Sequence, residues 1–174
     1  MSFRCATCDE IHEGLPDIGW DRPDPCYAIP EGEGEGEGDQ RINLTSDTCI
    51  IDNEDFFIRG VLEIPINGQQ ASLGLGVWVS QKRENFYKYL ENFDSADIGP
   101  FFGWLSNSIG YYLEDTYCLK TMAHFRGCND RPTIELEPTN HSLAIDQREG
   151  ISLEKAWEIV HSLIGSKITE GLSE

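Results

Sequence analysis

Residues 55–80 read DFFIRGVLEIPINGQQASLGLGVWVS and contain two alternating runs on either side of a turn. In both runs, apolar side chains recur at every second position, as they do in a strand with one buried face. Asn67-Gly68, between the runs, is a strong signal for the tight turn of a hairpin. The stretch therefore predicts an antiparallel hairpin at the centre of a sheet.

The remaining chain predicts more strands and two helices around this hairpin. Ser80 is predicted to cap a helix that runs to about Asn92, and Ser152 to cap a second helix that Gly165 ends. Strands in the middle of the chain with helices set apart predict an α+β fold, a mostly antiparallel sheet backed by helices. The further strands are predicted at residues 48–52, 101–105, 119–126 and 133–137.

A chain of 174 residues is expected to form a single domain, residues 1–174. Residues 1–30 are rich in turn-forming residues and predict an irregular segment that resembles a zinc knuckle. Residues 31–40 contain four consecutive Glu-Gly dipeptides, which predict a mobile, solvated loop. The α+β core is predicted over residues 48–165.

The chain is strongly acidic, with 31 Asp and Glu against 13 Lys and Arg and a net charge of −18. Between Asp9 and Asp55 there are 15 acidic and two basic residues, so the charge is concentrated in the first third. Such a field repels nucleic-acid phosphates and anionic membranes, and it accelerates encounter with a basic protein. The alternative is that the acidity only keeps the protein soluble.

No apolar run is long enough to cross a bilayer, and the first residues lack the apolar stretch of a signal peptide. We therefore expect a cytoplasmic protein. Cytoplasmic thiols are kept reduced, so the six cysteines are expected to be metal ligands or buried thiols rather than disulfides.

The sharpest local motif is Cys5-Ala6-Thr7-Cys8. Two cysteines at this spacing can form a knuckle whose backbone amides favour the thiolates that zinc requires. A structural zinc ion takes four ligands, and His12 is the nearest candidate for the third. Cys26 and Cys49 compete for the fourth position. Two ordinary reduced thiols, or a redox-active pair, are the alternatives to zinc.

A second group of polar residues is a candidate for catalysis. Glu135 and Glu137 share one face of a predicted strand, and His141 follows them closely. A carboxylate pair with a histidine could perform acid–base chemistry or hold a metal. The alternative is a solvated strand face that ends in a turn. Trp78 and Trp104 lie beside or near glycines, which could mark a binding groove, although such aromatics are more often core residues.

With these segments in hand, the chain resembles a bacterial family defined as domain of unknown function 2199. The resemblance implies a shared fold and a shared amino-terminal zinc knuckle, but no activity. Asp9 stands where the family pattern has glycine, and Cys26 where it has an aromatic residue, which favours Cys49 as the fourth ligand. The resemblance rests on Phe3-Arg4-Cys5-Ala6-Thr7-Cys8, Glu13-Gly14-Leu15-Pro16, Asp55-Phe56-Phe57-Ile58-Arg59-Gly60, Gly76-Val77-Trp78-Val79-Ser80, Phe102-Gly103-Trp104-Leu105, Ile134-Glu135-Leu136-Glu137-Pro138, His141-Ser142-Leu143-Ala144 and Gln147-Arg148-Glu149-Gly150-Ile151.

The sequence therefore predicts a non-catalytic, acidic protein-binding module with a structural zinc ion held by Cys5, Cys8, His12 and Cys49. A basic protein is the predicted partner, and an immunity or antitoxin-like role against a toxic enzyme is one concrete form of this function. The alternative is a metal-assisted hydrolase that uses His141 with Glu135 or Glu137. A third possibility is a structural or regulatory domain whose only ligand is zinc.

Overall fold

A computed structural model of the chain describes the backbone of residues 2–4, 11–30 and 41–170, and the side chains of residues 14–30 and 41–164. Within these residues the protein has the predicted α+β fold, with eight strands in a mostly antiparallel sheet and three helices. Two more short strands, Ser2–Arg4 (β1) and Ile11–Glu13 (β2), pair with each other. The helices are Arg83–Glu91 (α1), Ser142–Glu149 (α2) and Leu153–Glu170 (α3). The main sheet contains Ile18–Gly19 (β3), Ile42–Leu44 (β4), Thr48–Ile51 (β5), Asp55–Pro65 (β6), Ser72–Gln81 (β7), Phe101–Trp104 (β8), Lys120–His124 (β9) and Thr133–Leu136 (β10).

The main sheet has the strand order β3-β7-β6-β10-β9-β8, and β5 pairs with the first part of β6 while β4 pairs with β5. The pairs β3–β7 and β6–β10 are parallel, and the other pairs are antiparallel. The sheet curves far enough for Val79 in β7 to form a single bridge with Leu105, the residue that follows β8. It therefore has a concave inner face and a convex outer face.

The central hairpin is formed by β6 and β7, as predicted. Its register runs from the pair Phe56 and Gln81 at the open end to the pair Pro65 and Ser72 next to the turn. Gly68 in that turn has a φ of 79°, a backbone conformation that glycine adopts without steric cost. The alternation seen in the sequence therefore fixes which side chains of both strands face inward.

The main core lies on the inner face, where the helices cover the sheet. Fully buried side chains from β6 and β7, such as Ile58 and Val77, pack there with Phe86 of α1, Leu143 of α2 and Ile159 of α3. Each large apolar side chain that is buried in this way contributes about 1.5–3 kcal/mol. The helices therefore pack against the inner face of the sheet, and any cover of the outer face comes from other parts of the chain.

The outer face is covered over only part of its area. A smaller core lies over Phe57 and Trp78, which are 5% and 0% exposed, and it includes the hairpin of β4 and β5. A short 3-10 helix, Asp24–Ala28, contributes Cys26 to the same cluster. The strands β8, β9 and β10 lie outside this cover, and their outward side chains meet solvent.

Several details differ from the sequence predictions. Ser80 does not cap α1, because it belongs to β7; the N-cap position is Lys82, whose side chain makes no capping hydrogen bond. Ser152 does cap α3, since its Oγ accepts a hydrogen bond from Lys155 N at 3.1 Å, but the helix continues past Gly165 to Glu170.

The amino-terminal segment is less irregular than predicted, because it contains the short strands β1, β2 and β3. The helix α2 was not predicted at all. The predicted Glu-Gly loop at residues 31–40 lies outside the described residues. Among the residues that are described, no helix has the length and apolarity needed to cross a membrane.

Candidate functional site

Two aromatic side chains stand on the uncovered part of the outer face. Phe102 and Trp104 in β8 are 41% and 42% exposed, and their ring centroids lie 5.2 Å apart in an edge-to-face arrangement. Met122 of the neighbouring strand β9 is directly opposite Phe102 in the register. We call Phe102 and Trp104 the aromatic ridge. It forms an apolar surface for which the described residues provide no cover.

The direction of the aromatic ridge is fixed by Gly103, the residue between the two aromatics. Gly103 faces inward, where β8 approaches β7 so closely that a Cβ would collide with the carbonyl oxygen of Ser80 and the side chain of Gln81. Trp104 N contacts the same strand and donates a hydrogen bond to Ser80 Oγ at 3.1 Å. Only glycine fits the inward position, so Phe102 and Trp104 must both point outward.

A pocket of about 260 Å³ lies beside the aromatic ridge, and we call it the acidic pocket. Glu54 and Asp55 line it, and both are exposed. Gln81 also lines the pocket and is only 8% exposed. The other lining residues are Phe56, Phe57, Ser80, Lys82, Phe102, Gly103 and Trp104.

The amide of Gln81 adds to the negative character of the acidic pocket. Its Nε2 donates to the carbonyl oxygen of Ser80 at 2.8 Å, which fixes the orientation of the amide. Its Oε1 is buried and accepts no hydrogen bond from the described residues. Two carboxylates and an uncompensated carbonyl dipole therefore face one ammonium group, that of Lys82, so the pocket favours a cation.

On its other flank the aromatic ridge borders a larger groove of about 470 Å³, where Phe102 and Met122 are joined by charged residues of β9 and β10. Glu137 forms an ion pair with Lys120 at 3.4 Å, and Glu135 lies 2.7 Å from His124 Nε2. Exposed pairs of this kind are worth at most about 1 kcal/mol and exchange partners readily. Carboxylates therefore flank the aromatic ridge on both sides.

The residues proposed for hydrolysis have separate partners. His141 is the N-cap of α2, where its Nδ1 accepts a hydrogen bond from Leu143 N at 3.1 Å. Its Nε2 faces the carbonyl oxygen of Glu114 at 3.3 Å. Because Nδ1 must be unprotonated to accept, Nε2 carries the proton of the neutral ring. Glu135 and Glu137 pair with His124 and Lys120 instead, so the ring of His141 and the two carboxylates have no common partner.

The smaller core contains a pair of cysteines, Cys26 and Cys49, which we call the thiol pair. Their Sγ atoms are 3.6 Å apart, and the residues are 2% and 0% exposed. Their hydrogen bond lowers the pKa of Cys26 and raises that of Cys49. Burial opposes the first shift and reinforces the second, while the positive charge of Arg22 favours the thiolate at both positions. One shared thiolate is thus easier to form than two.

A family model for uncharacterized proteins conserved in bacteria (DUF2199) matches residues 4–151. The chain belongs to the DUF2199 family. The match includes the aromatic ridge, the acidic pocket and the thiol pair, and it ends two residues before α3 begins. No curated protein and no solved structure matched the chain.

The structure of this DUF2199 protein describes only part of the predicted zinc site. Cys5 and Cys8 lie outside the described residues. His12 lies in β2, where its backbone is opposite Phe3 of β1, and its side chain is not described. Cys49 is buried beside Cys26, its rival in the sequence. In the described part of the chain, no three His, Cys, Asp or Glu side chains are grouped so that they could hold a metal ion.

Two features of this DUF2199 protein were not predicted. The first is the place of Phe102 and Gln81 in the lining of the acidic pocket. Both residues belong to strands with alternating patterns, and such patterns do not show which face of the sheet is left uncovered by the rest of the chain. The second feature is a buried cluster in which Asp146 Oδ2 accepts from the Tyr112 hydroxyl at 3.0 Å and Oδ1 from Lys155 Nζ at 2.7 Å. Burial raises the pKa of Tyr112, and the carboxylate of Asp146 adds to the shift. This cluster connects α2 and α3 to the segment after β8.

Proposed function

We propose that this DUF2199 protein is a non-catalytic protein-binding module that docks a basic partner on its outer face. The docking face consists of the aromatic ridge, the acidic pocket and the groove beside Met122. The observation that carries the proposal is the pair of exposed aromatic rings between carboxylates. The occupant is a protein segment that presents an arginine or lysine next to an apolar side chain.

The aromatic ridge suits the centre of a protein interface. Leaving large aromatic side chains partly in water forgoes some of the roughly 1.5–3 kcal/mol that burial of each would contribute. Tryptophan is among the residues that most often dominate binding energy in protein interfaces, and these residues are typically surrounded by polar groups that exclude water. Phe102 and Trp104 have this arrangement, with Glu54 and Asp55 on one side and Glu135 and Glu137 on the other.

The charge of the docking face favours a basic occupant. A guanidinium or ammonium group in the acidic pocket would lie between the carboxylates of Glu54 and Asp55 and beside the ring of Trp104. Carboxylates bind such cations through charge-assisted hydrogen bonds, and the face of a tryptophan ring attracts them as well. The net charge of −18 adds long-range attraction for the same partner. It also argues against nucleic acid and anionic membranes as partners.

The size of the acidic pocket agrees better with a side-chain anchor than with a substrate cleft. Its volume of about 260 Å³ is below the roughly 300–1,000 Å³ of typical small-molecule sites. None of the residues that line it combines a nucleophile with a hydrogen-bonded base. A single basic side chain inserted beside Trp104 would anchor the partner, and contacts along the aromatic ridge would supply the apolar area.

An immunity or antitoxin-like role is the concrete form of this proposal. Enzymes that act on nucleic acids carry basic surfaces, and an acidic module that docks on such a surface would block it. The cytoplasm is the location we propose for this function, because the Sγ atoms of Cys26 and Cys49 lie 3.6 Å apart, too far for a disulfide, and unpaired thiols are typical of that compartment.

A peptide-binding assay with matched variants tests the docking face. The probe is a dye-labelled peptide in which arginines alternate with leucines, and binding is followed by fluorescence anisotropy. Trp104→Ala is expected to weaken binding about 30-fold, because it removes a contact worth about 2 kcal/mol. Asp55→Lys is expected to weaken it at least as much, since it reverses a charge in the acidic pocket.

Glu154→Lys is the control, because it produces the same change in net charge at an exposed position of α3, on a helix that packs against the inner face. It is expected to change the dissociation constant less than about threefold. Absence of binding between the wild-type protein and the peptide would contradict the proposal. So would equal losses from Asp55→Lys and Glu154→Lys, which would mean that only net charge matters.

A structural zinc ion is the second part of the proposal. Its predicted ligands are Cys5, Cys8, His12 and Cys49, with Cys26 as the rival fourth ligand. Thiolate-rich sites with four protein ligands serve structure rather than catalysis, since they leave no open position for a substrate. The zinc would order the amino-terminal segment, which contains few apolar residues to hold it in place.

A further inference from the structure

The acidic pocket contains a buried polar group that has no partner among the described residues. Gln81 is 8% exposed, and its Oε1 accepts no hydrogen bond from them, whereas Glu54 and Asp55 are exposed. The amide therefore lies deeper in the pocket than the two carboxylates. We propose that the acidic pocket selects arginine over lysine, and that Gln81 is the residue that distinguishes them. This inference rests on the proposed docking of a basic partner, and it names the side chain that anchors that partner.

The amide of Gln81 is held so that its oxygen, and not its nitrogen, is left for an occupant. Nε2 donates to the carbonyl oxygen of Ser80 at 2.8 Å. A Cβ at Gly103 would lie 2.7 Å from the same Nε2, so β7 and β8 enclose the nitrogen from both sides. A buried amide oxygen without a hydrogen bond costs free energy, which a donor on the occupant would recover. The pocket therefore favours a hydrogen-bond donor as well as a positive charge.

A guanidinium group has the donors that this arrangement requires. Its planar fork directs several N–H groups outward, so one edge can bind a carboxylate through paired hydrogen bonds while another N–H reaches an amide oxygen. Glu54 or Asp55 would bind the first edge, and Gln81 would accept from the second. The ammonium group of lysine has all its donors on one nitrogen atom. It is therefore too compact to serve acceptors at the rim and at the inner end of the pocket together.

The aromatic lining of the acidic pocket favours arginine as well. A guanidinium is weakly hydrated and stacks on aromatic rings, whereas an ammonium is strongly hydrated and loses more when it leaves water. The protein already has such a contact beside the pocket, where the guanidinium carbon of Arg83 lies 5.8 Å from the ring centroid of Phe56. The aromatic residues that line the pocket are Phe56, Phe57, Phe102 and Trp104.

Lys82 also lines the acidic pocket, but it leaves the carboxylates open to a partner. Its side chain is exposed, and none of the ion pairs among the described residues joins it to Glu54 or Asp55. A hydrated ammonium on a flexible stem can remain in water when another cation enters. The acceptors of the pocket are therefore free to bind an arginine of the partner.

Two peptides of equal charge test the inference. The probes are dye-labelled peptides in which arginines or lysines alternate with leucines, and fluorescence anisotropy gives both dissociation constants. The wild type is expected to bind the arginine–leucine peptide about tenfold more tightly, because lysine does not make the hydrogen bond to the buried oxygen. Gln81→Met keeps the size of the side chain without its amide oxygen and is expected to reduce this ratio below about threefold. Gln69→Met is the matched control, because Gln69 is exposed in the turn at the other end of the hairpin, and it should leave the ratio unchanged.

The side-chain amide of Gln81 provides a readout that a merely structural role would not move. In an isotope-labelled wild type, the amide signals that are absent from Gln81→Met should shift with the arginine–leucine peptide and much less with the lysine–leucine peptide. Equal affinity of the wild type for both peptides would overturn this inference and leave the docking face in place. So would a folded Gln81→Met variant that loses affinity for both peptides to the same extent. Binding of neither peptide by the wild type would overturn the proposed function with it.

Discussion

Gly103 is the residue on which the candidate docking face depends most directly. β8 passes so close to β7 at this position that there is room for the hydrogen atom of glycine but not for a Cβ. Because Gly103 takes this inward position, the side chains of its neighbours Phe102 and Trp104 face outward. Without this close approach the strand could rotate or withdraw, and the aromatic side chains would lose their fixed direction. The close approach of β8 to β7, which the curvature of the sheet produces and Gly103 permits, thus fixes which aromatic side chains are exposed.

The substitution Gly103→Ala tests that role. A methyl group would collide with the backbone of β7, and overpacking of this kind costs about 1–3 kcal/mol. Urea unfolding should show this loss in the free energy of unfolding, and binding of the arginine–leucine peptide should weaken as well. Gly110→Ala is the matched control, because a Cβ at Gly110 meets no atom within 4 Å. A similar stability for the two variants would contradict the steric argument.

At the scale of elements, the hairpin of β6 and β7 could be predicted because apolar side chains recur at every second position of both strands and Asn67-Gly68 lies between them. The helix α2 escaped prediction because its N-cap is His141 and its buried residues are few, Leu143, Ala144 and Asp146. Ser80 resembled a helix cap by residue type, but it extends β7 and receives the hydrogen bond of Trp104 instead. Local residue type cannot reveal such a tertiary partner.

The candidate site was less predictable than the fold. Glu135 and Glu137 face outward as the alternation of β10 predicts. The ring of His141 has other partners than these carboxylates because it caps α2, and the spacing of residues does not show that cap. The contact between Cys26 and Cys49 depends on how a turn packs on a strand, and sequence separation carries no information about it. Of the two tryptophans near glycines, Trp104 is 42% exposed in the structure, whereas Trp78 is a core residue.

The hydrogen bonds of Asp146 are predicted to stabilise the packing of α2 and α3 against the segment after β8. Tyr112→Phe removes the hydroxyl that donates to Asp146, and loss of such a buried hydrogen bond costs about 1 kcal/mol. Tyr111→Phe is the control, because its hydroxyl makes only a long, exposed hydrogen bond of 3.4 Å to Glu158. Urea unfolding measures both variants. If Tyr112→Phe were as stable as Tyr111→Phe, the cluster would not hold α2 and α3 to the segment after β8.

A second prediction at this scale concerns Asp47 and the loss of stability at low pH. Burial acts to raise the pKa of Asp47, but hydrogen bonds from Ser46 and Arg131 outweigh it and hold the pKa below its ordinary value. A lowered pKa means that the carboxylate stabilises the fold above the unfolded-state pKa, and that this contribution disappears as the pH falls through the folded-state pKa. The ion pair with Arg131 at 2.7 Å joins the turn between β4 and β5 to the turn before β10.

Asp47→Asn is therefore expected to lower the free energy of unfolding at pH 7 by about 1 kcal/mol, because the pair is partly exposed. At about pH 2 the wild type and the variant should be equally stable. Asp97→Asn serves as the control, since Asp97 is exposed and its carboxylate has no hydrogen bond among the described residues. A difference that persists unchanged in acid would contradict the assignment of the shift to this pair.

At the scale of the whole molecule, the two faces of the curved sheet differ: the inner face packs against the helices, and the outer face carries the docking face. The inner face is filled by the helices and accounts for most of the buried apolar side chains. The outer face is filled by the smaller core at one end and left open at the other, between carboxylates. In a chain with a net charge of −18, the exposed rings of Phe102 and Trp104 therefore lie between carboxylates that attract a cation.

Mapping of the arginine–leucine peptide by NMR tests this central claim most directly. In an isotope-labelled wild type, the indole N–H signal of Trp104 and the backbone signals of β8 and residues 54–55 should shift during the titration. The indole signal of Trp157 in α3 should stay in place and serves as the internal reference. Saturable shifts confined to the docking face are the predicted result. Shifts spread evenly over the acidic surface, or centred on another face, would contradict the account.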